Sequence, residues 1–189
     1  TGLSYAIKQS ELEVKKKKKE KIDKIIRHPL LSNIEKAYSL RAKLSFYFSW
    51  SAYHDFFANF SKVHHYNTKL LKLLESEAWY LSENENKYIT VLNNLMIAQF
   101  YLKKYTEALQ TIHKLKEINT NSKDTQTRIF RSWSNGIISI YNEQGLFEES
   151  LKSAKEIENE FVKFTPLIGK NSLITIYGNL AFTYFGARK

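Results

Sequence analysis

Cysteine is absent from the chain, and turn-forming residues are scarce, with two prolines and six glycines among 189 residues. Without cysteine there is no disulfide framework, no thiolate metal site and no Cys nucleophile, a composition that fits a reducing compartment. So little punctuation argues against a β-sandwich, which needs a turn signal every ~8–12 residues, and suits helices joined by short turns. No run of about 18 or more apolar residues occurs, so no transmembrane segment is expected. The first twenty residues carry a lysine cluster without the apolar segment of a secretory signal, and the expected localisation is cytoplasmic. The opening Thr1-Gly2 has no methionine, which leaves a removed signal open.

Aromatic residues are abundant instead, with twelve Phe, twelve Tyr and three Trp. Hydrophobic residues make up 43% of the chain, enough for a continuous core in one ordinary domain or a short repeat array. The net charge of +10 is placed early: residues 1–75 hold 15 Lys+Arg against 7 Asp+Glu, and residues 76–189 hold 14 against 12. An electrostatic partner is therefore sought in the leading segment first.

Residues 3–27 read as a helix. Leu3, Ile7, Val14, Ile22, Ile25 and Ile26 form a broken apolar stripe, and Glu11/Lys15, Glu13/Lys17 and Glu20/Lys24 stand at the favourable i,i+4 spacing. His28-Pro29 stops it, because proline disfavours the α region for the residue before it and supplies no N–H. A stretch from a cap at Ser32 or Asn33 to about Ser49, and a second from about Tyr53 to Glu75, predict a first hairpin over 33–75. Ser76–Asn86 reads as a polar connection in which Trp79, Tyr80 and Leu81 form a packed insertion. Helices at about 87–102 and 105–118 predict a second hairpin. Helices at about 125–142 and 147–163 predict a third, joined through Gly145, which can supply a left-handed helix terminus. Thr165-Pro166 ends that hairpin, and a helix at about 171–185 halts at Gly186 without a partner. The expected organisation is a basic N-terminal helix over 1–31 leading into an array over 32–189.

Within that array a phrase recurs: an amphipathic stretch reaching a tyrosine, a short break, an aromatic, and a second amphipathic stretch. Its copies run through Ile97, Ala98 and Tyr101 to Tyr105, Ala108 and Leu109, and through Ile137, Ile138 and Tyr141 to Phe147, Ser150 and Leu151. A third begins at Leu180, Ala181 and Tyr184. One hairpin cannot bury its apolar face alone, whereas a stack can. Taken from Tyr47 through Tyr101 and Tyr141 to Tyr184, the anchors lie 54, 40 and 43 residues apart. This order resembles a divergent tetratricopeptide repeat over roughly residues 33–189. The resemblance implies an all-α, right-handed superhelix of antiparallel helical hairpins. It also implies that small residues such as Ala98, Ala108 and Ala181 let helices approach, while Tyr105 and Phe147 fill the space between hairpins.

The resemblance further implies a concave groove lined by the first helix of each hairpin, at positions nine, six and two before the tyrosine and one after it. Carried onto this chain they give Tyr38, Arg41, Ser45 and Phe48; then Gln99, together with Lys103 two residues past its tyrosine and the nearby Asn94; then Ser132, Asn135, Ser139 and Asn142. Amides there can pair with a peptide backbone, and Arg41 and Lys103 can meet a carboxylate. They do not reproduce the Lys/Asn carboxylate clamp of chaperone-binding members.

The run Lys15, Lys16, Lys17, Lys18 and Lys19 is either a contact for an anionic partner, gaining affinity by counterion release, or a solvated helix face partly neutralised by Glu11, Glu13, Glu20 and Asp23. His64 and His65 are adjacent, so they diverge by ~100° around a helix and are not expected to hold a metal. No phosphate loop, no pair of histidines flanking a glutamate and no serine elbow occurs. The expected function is therefore a non-catalytic scaffold that binds a protein or peptide segment in the groove, with no cofactor. The alternative is a nucleic-acid-associated or regulatory module using the basic helix. The apolar Leu180, Ala181 and Tyr184 at an unpaired end imply a fragment of a longer protein or a homodimer through this last helix.

Overall fold

The computed structural model describes residues 16–188, and these are helical, with no strand among them. Two compact units are present, Thr1–Tyr66 and Asn67–Lys189.

In the first unit, α1 covers 16–26 and ends before Pro29, which opens a 3₁₀ turn at Pro29–Leu31. A second 3₁₀ turn, Ile34–Lys36, is capped by Asn33, whose side chain accepts from the Glu35 N–H at 2.9 Å. The helix expected from about residue 33 begins only at α2 (Leu40–Phe56), where the Ser39 hydroxyl accepts from the Ala42 N–H. Short polar side chains offer the backbone a cap in preference to a continuing helix, and Asn33 and Ser39 both take that role. At the other end α2 runs through the break expected near residues 50–52. The chain turns instead at Phe57–Asn59, where Asn59 caps α3 (Phe60–Glu75) by accepting from the Lys62 N–H at 3.2 Å. Aromatic rings dominate this unit: Trp50 lies within 6.3 Å of Phe46, Tyr53, His54 and Tyr66, centroid to centroid. The Trp50 indole N–H donates to the Leu31 carbonyl at 3.0 Å and ties α2 to the first 3₁₀ turn.

The second unit contains α4 (Ala78–Glu83), α5 (Glu85–Tyr101), α6 (Tyr105–Lys116), α7 (Lys123–Glu143), α8 (Phe147–Phe164) and α9 (Lys170–Gly186). The connection expected over 76–86 is thus a short helix. It buries Tyr80 and leaves Trp79 exposed. Helix α5 packs on α6, α7 on α8, and α7 also touches α5, α6 and α9. The core gathers Leu92, Ile112, Phe130, Trp133, Ile138, Ile157 and Ile176, with Phe130 stacked on Phe164 at 4.7 Å. Ala98, Ala108 and Ala154 are fully buried at helix crossings, but Ala181 is exposed.

Three turns repeat one geometry: α2 to α3, α5 to α6 and α7 to α8. The residue two past each helix end has positive φ: Ala58 (51°), Lys103 (59°) and Gly145 (70°). Its N–H and the next one bond back to the helix, as in Gly145 N–H to Asn142 O and Leu146 N–H to Tyr141 O. Ala58 and Asn59 bond to Asp55 and His54 in the same way, and Lys103 and Lys104 to Phe100 and Gln99. This double closure is the Schellman motif. An aromatic residue, Phe60, Tyr105 or Phe147, opens each following helix. Measured between the positive-φ residues, the repeat is 45 and then 42 residues. The turns that end α5 and α7 are the same length, although α7 continues two residues past Tyr141.

Candidate functional site

Along one side of the 67–189 unit a cleft of about 460 Å³ is lined by α5, α7 and α9. Residues three and four apart share a helix face, and each helix supplies one such strip. Helix α5 gives Asn93, Ile97 and Tyr101 beside Met96 and Phe100; α7 gives Arg131, Asn135 and Ser139 beside Ser132, Gly136 and Ile140. The first turns of α9 add Asn171, Ser172 and Thr175.

The cleft floor is set by Gly136. A Cβ there would overlap the Met96 sulfur and stand 3.1 Å from Ile112 Cδ1, so any larger residue would have to displace the Met96 side chain where α7 meets α5. Polar groups line the α7 side. Asn135 Nδ2 donates to the Arg131 carbonyl at 3.1 Å, and its Oδ1 accepts from Asn179 Nδ2 at 3.3 Å. Asn179 also reaches Ser139 Oγ at 3.5 Å. Arg131 supplies the one charged side chain among the lining residues, and its exposed guanidinium neither hydrogen-bonds nor ion-pairs within the described residues. Across the cleft, Phe100 and Tyr101 meet edge to face at 5.4 Å. The arrangement offers an open cation, amides and hydroxyls on one wall, and apolar and aromatic surface with one amide, Asn93, on the other.

Of the sequence-predicted groove residues, Ser132, Asn135 and Ser139 line this cleft. Gln99 does not: it is 5% exposed, and its Oε1 accepts from the Thr111 hydroxyl at 2.8 Å inside the α5/α6 hairpin. Asn142 is half-buried in a network behind the cleft, where its Oδ1 accepts from Ser150 Oγ at 2.8 Å and Thr183 Oγ1 at 3.1 Å. Lys103 is the exposed positive-φ residue of its turn, and Asn94 is one residue off the strip that holds Asn93. Tyr38, Arg41 and Ser45 are exposed and Phe48 half-buried in the 1–66 unit. Lys16, Lys17, Lys18 and Lys19 are exposed, with the Lys19 ammonium 5.6 Å from the centre of the Phe57 ring; Lys15 lies outside the described residues.

The misplacements on α5 have one cause. Aligning Tyr101 with Tyr141 shifts α5 by two residues, whereas the positive-φ turns make Asn93, Ile97 and Phe100 the counterparts of Asn135, Ser139 and Asn142. Arg131 and the α9 residues carry a legible signal, the i,i+4 continuation of the Asn135–Ser139 strip and a polar first turn; sequence reasoning did not use it. Elsewhere, burial, together with the Glu75 carboxylate that accepts its hydrogen bond, pushes the Tyr88 phenol up to about 12. Among the described residues no cluster of three His, Asp or Glu side chains gathers as for a metal, and no helix is long and apolar enough to cross a membrane. No family model, curated protein or solved structure matches the chain.

Proposed function

We propose that this chain is a non-catalytic scaffold whose helical hairpins form a tetratricopeptide-like superhelix and hold an extended segment of a partner protein. The reading places that segment in the α5–α7–α9 cleft and the protein in the cytoplasm. The observation that carries it is the matched set of strips, one wall polar with an uncommitted Arg131 and the other aromatic. Side-chain amides can serve both donors and acceptors of an extended backbone, and the guanidinium fits a carboxylate in bidentate fashion.

The test is selection of extended peptides from a displayed random library. Enriched peptides should carry an acidic residue. A charge-assisted hydrogen bond contributes about 1.5–3 kcal/mol, so Arg131→Ala should weaken them roughly ten- to hundredfold. Peptides that bind wild type and an Arg131→Ala/Asn135→Ala variant equally, with far-UV helicity intact, would sink the reading. A second reading, an anionic nucleic-acid partner on the leading helix, draws on the exposure of Lys16–Lys19. It requires binding that falls steeply with salt and with neutralisation of those lysines.

A further inference from the structure

Helix α9 is apolar on more sides than its neighbours can cover. Ile176, Leu180 and Thr183 are buried where it meets α7 and α8, but Ile174 is 68%, Phe185 65%, and Tyr177 and Phe182 each 55% exposed. We propose that this outer face is a homodimer contact, in which α9 packs antiparallel against α9 of a second copy across a two-fold axis between Gly178 and Ala181.

Three observations select a second copy of this chain as the occupant. First, a two-fold axis sets each surface against itself, so any charge on it meets its own kind. Residues 171–186 carry no Asp, Glu, Lys or Arg, and the face is compatible with itself.

Second, Ile174, Gly178, Ala181 and Phe185 are spaced i, i+4, i+7 and i+11 and form one line along the helix. Antiparallel pairing about the midpoint sets Ile174 of each copy opposite Phe185 of the other, and Gly178 opposite Ala181. Small residues at the centre permit close approach, and large ones close the flanks. Gly178 is not required by the fold itself: it lies within the helix, its φ is not positive, and a Cβ added there would meet nothing within 4 Å. That differs from Gly186 on the same helix, where a Cβ would overlap the Phe147 ring. Helix interiors disfavour glycine, so an unforced one on an apolar surface is accounted for by a close neighbour outside the fold.

Third, the area suffices. Aromatic side chains of this size bury ~150–250 Å². The exposed fractions of Ile174, Tyr177, Phe182, Tyr184 and Phe185 then correspond to roughly 550 Å² per copy. Full coverage of these flanking and central side chains would bury at most roughly 1,100 Å² in the pair, the size of a small specific interface.

The experiment measures the mass of the 189-residue chain by sedimentation equilibrium over a range of about 1–200 µM. A reversible monomer–dimer equilibrium is expected, and Ala181→Glu, an exposed change that leaves the core untouched, should weaken it at least a hundredfold with helicity unchanged. Because the chain has no cysteine, a single introduced thiol reports position. Ala181→Cys should oxidise to a covalent dimer, and Gln110→Cys, exposed on α6, should not. A chain that stays monomeric at 200 µM overturns the proposal and leaves the α9 face to a different helix or another protein. A dimer unaffected by Ala181→Glu, or cross-linked equally through both cysteines, overturns it as well.

Discussion

Single residues set two of the constraints on this molecule. Gly136 holds α7 against Met96, and Met96 is itself 5% exposed beneath the cleft. Overpacking a closed core costs about 1–3 kcal/mol, so Gly136→Ala should lower the free energy of unfolding in urea by that amount. Combining it with Met96→Ala should recover part of the loss, because the second change removes the overlapped atoms; additive losses would show that the clash is not the cause. His54 is constrained differently. It packs beside the rings of Trp50 and Tyr66, at 5.7 and 5.6 Å, and burial, aided by the Lys62 charge, holds its pKa below the ordinary 6.5. The unfolded chain therefore binds more protons in the interval below 6.5, and stability falls as pH drops through it, levelling off below the folded-state pKa. Between pH 7 and 5.5 the melting temperature of wild type should fall more steeply than that of His54→Phe. Parallel profiles for the two proteins would refute this.

At the scale of the element, the helices were legible because their apolar positions keep a 3.6-residue period and their turns carry few competing signals. The all-α class follows from that period together with scarce proline and glycine. The left-handed positions within the turns were legible only where glycine marks them. Gly145 announces a left-handed position, whereas Ala58 and Lys103 adopt the same conformation with nothing in their identity to show it. A side chain in this region costs roughly 1–2 kcal/mol, offset by the backbone entropy that glycine loses. Lys103→Gly should therefore raise the thermal midpoint by an amount equivalent to a few tenths to about 1 kcal/mol, and Gly145→Ala should lower it by about 1 kcal/mol. Opposite signs in calorimetry would mean that the shared turn geometry is not what stabilises these hairpins. The hidden turns also explain the unreadable part of the cleft. Without Lys103 as a marker the tyrosines were the obvious register, and Gln99 fell on the groove although its amide is bonded to Thr111 in the core. A polar side chain on a helix does not reveal whether it faces water or a partner hydroxyl, as Asn142 with Ser150 and Thr183 illustrates.

At the scale of the whole molecule, stability is expected to be uneven. Within the 67–189 unit α7 is the hub: it touches α5, α6, α8 and α9 and contributes Phe130, Trp133, Ile138 and Ile140 to the buried cluster. Opening α7 therefore disrupts every neighbouring contact, while α9 can detach with the loss of only its inner face. Amide exchange follows the free energy of the smallest opening that exposes each N–H. In hydrogen-exchange mass spectrometry, peptides from 126–142 should be the slowest of the unit, and those from 174–186 should exchange through a local opening. Dilution separates the two causes of protection in α9. If its outer face is covered only by water, exchange over 174–186 is independent of protein concentration. If a second copy covers it, protection there should fall on dilution from about 200 to 1 µM while α7 stays unchanged, because mass action stabilises only the segment that the partner touches. Exchange in α7 as fast as in α9 would remove α7 from the centre of the unit.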